Sequence, residues 1–122
     1  IIFSKKLNLA GIVDALLQND ENVCLVDWKQ NKEIKTFNPY QSGLGPLSHL
    51  QDHDFNKYSI QLNIYRKILI QENYFPDIPP ENHKMLLMHL TPRGYFPMRV
   101  APMDDEIDAM LEQNNSLFPN FV

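Results

Sequence analysis

The sequence is poor in cysteine and glycine. Cys24 is the only cysteine among 122 residues, so no disulfide and no cysteine-ligated zinc or iron–sulfur site can form within this chain. That thiol is expected to be buried in the core. Of the four glycines, Gly43 and Gly45 lie in a stretch that is too short and wrongly patterned for a phosphate-binding glycine loop.

Long apolar runs and an excess of basic charge are also missing. No stretch approaches the roughly 18 apolar residues of a membrane span, and no secretory signal is visible. We therefore expect a soluble, intracellular protein with no membrane partner. The formal net charge of −4 argues against a protein that coats nucleic acid, which normally carries many lysines and arginines. It leaves a nuclease open, because a bound metal ion adds positive charge locally.

What is present indicates a folded globular protein. Hydrophobic residues make up 43% of the chain and aromatic residues 11%, enough for a core of ordinary size. We expect a single domain covering residues 1–122. Because the chain opens at Ile1 directly in strand-like sequence, we expect a fragment that lacks a preceding N-terminal helix.

The pattern predicts an α/β fold: a mixed sheet with one helix-covered face. A strand–helix–strand step favours a right-handed crossover that packs the long helix on the sheet. An irregular segment, residues 30–53, precedes that helix, and Asp52 or Asp54 can cap it. The predicted strands cover residues 1–10, 11–17, 23–29, 84–90 and 95–100, and the predicted helices cover residues 54–73 and 104–112.

Two aspartates interrupt apolar strands that read as one hairpin. If Gln18 pairs with Val23 across the polar loop between them, Asp14 falls opposite Asp27. Two facing carboxylates repel each other, and an unpaired charge in an apolar strand is costly, so this arrangement indicates a cation site. The alternative is that both side chains simply face solvent at a strand end.

Lys29 lies two positions after Asp27, so both side chains are predicted to point to the same face of the strand. Trp28, Val26 and Cys24 then point to the opposite face, where a second core layer could cover them. An ammonium group beside two carboxylates and a divalent ion is suited to attack by water on a phosphate.

The long helix carries one polar residue on its apolar stripe. Gln61 and Tyr65 are four positions apart and share a face with Tyr58 and Ile68. A buried amide needs a partner. A nearby carboxylate site or a substrate phosphate would supply one, and so would a backbone carbonyl.

Taken in order, Gly11-Ile-Val-Asp14, Val26-Asp-Trp-Lys29 and Gln61-Leu-Asn-Ile-Tyr65 closely resemble the PD-(D/E)XK nuclease superfamily, best its RecB-like exonuclease branch. The resemblance implies a restriction-endonuclease-like core and a divalent-metal-dependent DNA nuclease, with exonuclease activity expected. It also suggests a fused or associated helicase or a replication or repair protein as partner.

The same resemblance assigns roles to single residues. It implies that Asp14 and Asp27 bind Mg²⁺ or Mn²⁺ with the main-chain carbonyl of Trp28, and that Lys29 serves the hydrolytic water. Gln61 and Tyr65 are implied to support the site and contact DNA. Oxygen ligands suit Mg²⁺ on chemical grounds as well. Relatives of this branch usually add an acidic residue or histidine from a helix that would precede Ile1.

Two other functions remain open at this stage. One is a catalytically inactive nuclease-fold module that binds nucleic acid or a partner, and the other is an RNA endonuclease of the cap-snatching type. The four histidines have no metal-ligand spacing and are expected at the surface or in the core, although His53 could contact substrate near the helix start. They are His49, His53, His83 and His89.

Overall fold

A computed structural model describes residues 1–30 and 54–117, the last four of these by their backbone alone. Within these ranges the chain forms six strands and two α-helices, with a single 3₁₀ turn at Pro80–Asn82 before β5. The strands are β1 Ile2–Ser4, β2 Leu9–Gly11, β3 Ala15–Gln18, β4 Val23–Lys29, β5 His83–Thr91 and β6 Gly94–Arg99, and the helices are α1 Asp54–Gln71 and α2 Asp104–Leu117.

The main sheet has four strands in the order β3-β4-β5-β6. Strands β4 and β5 are parallel, whereas the two outer pairings are antiparallel. The α/β class and the mixed sheet are therefore confirmed. Parallel neighbours need a crossover connection, and α1 lies in the chain between β4 and β5, as the pattern predicted.

The N-terminal segment differs from its prediction. In place of one strand over residues 1–10, the chain forms two short antiparallel strands, β1 and β2, that make a separate two-stranded sheet. The turn between them is closed by Asn8, whose φ of 57° is left-handed and whose N–H donates to the Lys5 carbonyl. Asparagine tolerates this conformation better than most residues, so a turn forms without glycine or proline. The predicted strand 11–17 is likewise divided, since Gly11 ends β2 and β3 begins only at Ala15.

The β3–β4 hairpin has the predicted register. Gln18 pairs with Val23 and Ala15 with Val26. The Asn19 side chain closes the loop by accepting hydrogen bonds from the N–H groups of Glu21 and Asn22, at 2.8 and 2.7 Å. This Asx-type turn sets the register, and the register places Asp14 at the level of Asp27.

Helix α1 covers one face of the main sheet. The predicted stripe is confirmed: its buried members pack into one cluster with side chains of β4 and β5, and Tyr58 and Tyr65 pack at the edge of that cluster. The buried helix residues are Leu62, Ile68 and Leu69, and their strand partners are Leu25, Met85 and Leu87.

Helix α2 packs on α1. The second core layer that could have covered Trp28, Val26 and Cys24 is therefore not supplied by this helix. Val26 is buried, but Cys24 is only half-buried and the Trp28 side chain is 45% exposed. Among the described residues, no second helical layer covers the face of the sheet to which Trp28 points. Cys24 is therefore not a core thiol, although partial burial still raises its pKa.

Several expectations fall outside the described ranges. They concern the irregular segment up to residue 53, the Asp52 cap, His49 and His53. In the part of the chain that is described, no helix is both long and apolar enough to cross a membrane.

Candidate metal centre

Asp14 lies at the bend where the chain leaves the small sheet and enters β3. Pairing between β3 and β4 stops at Ala15 and Val26, so the β4 backbone beyond that point needs another partner. The Asp14 carboxylate supplies it: Oδ2 accepts a hydrogen bond from the Trp28 N–H at 2.9 Å. This side chain is thereby fixed against the end of β4.

Asp27 and Lys29 point to the same side of β4, as the two-residue spacing predicted. Lys29 Nζ lies 3.1 Å from Asp27 Oδ2, and both side chains are largely buried, with 23% and 13% exposed. The ammonium also lies 4.5 Å from the centroid of the Tyr58 ring on α1. A carboxylate and an aromatic face therefore both hold the lysine in place.

The pKa values of the two carboxylates are shifted in opposite directions. The pKa of Asp14 is lowered by its hydrogen bond with Asp27 and then by the Trp28 N–H, with a contribution from the charge of Lys29. Burial raises the pKa of Asp27, and the adjacent Asp14 raises it further against the opposing effect of Lys29. A shared proton therefore belongs to Asp27, because Asp14 is the more exposed and better hydrogen-bonded partner.

The donor set fits a hard divalent cation. Asp27 Oδ2 is buried and, among the described residues, is left without a hydrogen-bond partner, although the Lys29 ammonium lies 3.1 Å from it. The N–H and C=O of a strand residue point to the same side, so the Trp28 carbonyl is directed towards the side of Asp14. Within the described ranges no group of three or more acidic, histidine or cysteine side chains could hold a metal. Two carboxylates with retained waters are nevertheless a usual site for Mg²⁺.

Gln61 and Tyr65 bond to each other rather than to the candidate metal centre. Gln61 Nε2 donates to the Tyr65 hydroxyl at 3.0 Å, so the partner of the amide is the phenol rather than a carboxylate or backbone carbonyl. Neither side chain has a hydrogen bond to Asp14, Asp27 or Lys29 among the described residues. The Tyr65 ring instead packs directly on Gly11, three residues before Asp14.

Sequence reasoning missed two contributors to the centre. Tyr58 was recognised only as a member of the apolar stripe, yet it is the residue under the Lys29 ammonium. Its position three residues before Gln61 and seven before Tyr65 was the available signal, because these spacings share one helix face. Gly11 was recognised as part of a motif, but its contact with Tyr65 depends on tertiary packing.

Comparisons with protein-family models, with curated proteins and with solved structures find no match for this chain.

Proposed function

We propose that this chain is a divalent-metal-dependent nuclease that hydrolyses phosphodiester bonds of DNA, acting as an exonuclease. The observation that carries the proposal is the convergence of Asp14, Asp27 and Lys29 at the end of β4. The charged form of Asp27 is unfavourable for stability at this position, since burial and the adjacent Asp14 raise its pKa. Such groups are typical of sites where chemistry is performed.

The roles follow from the positions of the groups. Asp14, Asp27 and the Trp28 carbonyl would hold Mg²⁺ or Mn²⁺. When bound, such an ion polarises the phosphoryl oxygen and lowers the pKa of water. Lys29 orients the attacking water and balances the negative charge that develops on the phosphate, with Asp27 and Tyr58 fixing its position.

Gln61 and Tyr65 have an indirect role in this proposal. Their mutual hydrogen bond and the packing of Tyr65 on Gly11 brace the segment that leads to Asp14. The carboxyl ends of parallel strands are the usual location of ligand sites in open α/β sheets. The end of β4 at Lys29 is such a position.

The decisive experiment measures Mn²⁺-dependent cleavage of linear duplex DNA. Lys29→Ala and Asp27→Asn should each lower kcat by about 100-fold or more, the size expected for losing a group that assists proton transfer or holds the ion. Lys84→Ala is the matched control, because Lys84 is exposed and points to the other face of the neighbouring strand. It should cleave at the wild-type rate.

Retention of wild-type cleavage by either site variant would refute the proposal. A folded wild-type chain that neither cleaves DNA nor gains stability from Mn²⁺ would favour the inactive binding module. Cleavage of single-stranded RNA in preference to DNA would favour the RNA endonuclease.

A further inference from the structure

A row of side chains leads away from the candidate metal centre across the sheet. Lys29 pairs in register with His89 on β5, and His89 pairs with Phe96 on β6. Paired residues in a sheet project to the same face, so the three side chains lie side by side on the face of the metal centre. Phe96 is two strand spacings from Lys29, roughly 10 Å.

Phe96 is a large aromatic residue left accessible at the end of this row. Its side chain is 51% exposed, and its ring lies 6.4 Å from that of His89 in a tilted arrangement. An open cavity beside it is lined by Thr91, Pro92, Arg93 and Phe96. An exposed aromatic face at a cavity wall offers stacking area to a flat apolar group.

The hairpin formed by β5 and β6 also has a charge that suits a polyanion. From residue 82 to residue 103 the chain has no Asp or Glu, although its net charge is −4. Of the three basic residues in this stretch, Arg93 lines the cavity beside Phe96, whereas Lys84 and Arg99 point to the other face of the hairpin. Arg93 is exposed at the hairpin turn, and no ion pair between described residues involves its guanidinium.

We propose that the β5–β6 hairpin binds the single-stranded end of the DNA substrate, with a base stacked on Phe96 and a phosphate held by Arg93. The inference rests on the proposed function for the identity of the ligand. A single strand is required because a base inside a duplex has no free face to stack on. An aromatic platform next to a cation is the common design of sites that bind single strands without sequence preference.

The test measures binding of a fluorescent oligo-dT of about 12 nucleotides by fluorescence anisotropy. The buffer contains EDTA so that no cleavage occurs. Phe96→Ala should raise Kd by about 5- to 150-fold, the loss expected for one stacked base. Arg93→Ala should reduce the slope of log Kd against log salt concentration by about 0.7, the value for one phosphate contact on a single strand.

Tyr95→Ala is the matched control. Tyr95 is the adjacent residue, is 70% exposed and points to the other face of the hairpin because it pairs with Leu90. Its removal should leave Kd for oligo-dT unchanged. Binding of closed circular duplex DNA should not depend on Phe96.

Two outcomes would overturn the inference: Phe96→Ala binds oligo-dT like the wild type, or Tyr95→Ala weakens binding as much as Phe96→Ala. These outcomes are separable from failure of the proposed function. A chain that binds oligo-dT through Phe96 but never cleaves DNA with Mn²⁺ supports the hairpin site and refutes the nuclease. A chain that cleaves DNA but binds oligo-dT with an affinity independent of Phe96 supports the nuclease and refutes the hairpin site.

Discussion

At the scale of single residues, the candidate centre depends on the absence of a side chain at Gly11. A Cβ atom at this position would overlap three atoms of the Tyr65 ring. Gly11→Ala should therefore displace Tyr65 and lower the free energy of unfolding by about 1–3 kcal/mol, the usual cost of overpacking. Urea denaturation measures the loss, and DNA cleavage should fall with it because the segment before Asp14 moves.

A double-mutant cycle separates this steric effect from a general loss of stability. With Tyr65→Ala as background, Gly11→Ala should cost close to nothing, since the overlapping ring is gone. Equal costs in the two backgrounds would show that Gly11 does not act through Tyr65.

At the scale of elements, local periodicity predicted the helix and the faces of the strands, but it did not predict how the layers are arranged. Helix α1 was predictable because Tyr58, Leu62, Tyr65 and Leu69 repeat at helical spacing. The face of Lys29 and Asp27 was predictable because strand side chains alternate. The exposure of Trp28 was not predictable, because it depends on where α2 packs. Nothing local in residues 23–29 encodes the position of that helix.

The division of the N-terminal strand shows the same limit. A turn that contains Lys5 and Asn8 has no glycine or proline to indicate it, so an apolar stretch with polar interruptions reads as one strand. The site was less affected, since Asp14 reaches Asp27 through the register of β3 and β4.

Arg66 joins α1 to the elements around it. Its buried guanidinium donates to the carbonyls of His83 and Pro80, at 2.9 and 2.8 Å, and to Asp104 Oδ1 at 2.6 Å. Arg66→Ala should lower the free energy of unfolding by about 2–4 kcal/mol, because it leaves buried carbonyls without a partner and removes packed methylene groups. Urea denaturation at neutral pH measures the change.

The adjacent residue offers a control of the same kind. Lys67 pairs with Asp108 at 2.7 Å, but Lys67 is partly exposed and Asp108 is largely exposed. Lys67→Ala should therefore lower the free energy of unfolding by less than about 1 kcal/mol. A similar loss for both variants would mean that the buried arginine does not hold α1, β5 and α2 together.

At the scale of the whole molecule, Asp27 and Asp14 act in opposite directions on the stability of the metal-free protein. The folded state raises the pKa of Asp27, so the protonated side chain stabilises the fold at low pH and this contribution is lost as pH rises through the raised pKa. The contribution of Asp14 depends on pH in the opposite way, because its pKa is lowered in the folded state. This contribution to stability is present above the usual aspartate pKa and is lost as pH falls through the lowered pKa. Above the raised pKa of Asp27, that residue is the unfavourable member of the pair.

A divalent ion should reverse this balance. Without metal, the free energy of unfolding of Asp27→Asn should not fall as the wild type's does when pH rises through the raised pKa of Asp27, because the amide does not titrate. With Mn²⁺ at about 100 times its Kd, the wild type should gain about 2.7 kcal/mol, whereas Asp27→Asn should gain little. Asp77→Asn, at an exposed position between α1 and β5, should respond to Mn²⁺ like the wild type.

The same stabilisation should depend on pH in one direction. The ion must displace the proton from Asp27 before that carboxylate can ligate, so the Mn²⁺-induced gain in the free energy of unfolding should shrink as pH falls towards the raised pKa of Asp27. Urea denaturation with and without Mn²⁺ across the acidic range measures this difference. A gain that stays constant through that range, or one that Asp27→Asn retains in full, would place the ion away from the Asp14 and Asp27 pair.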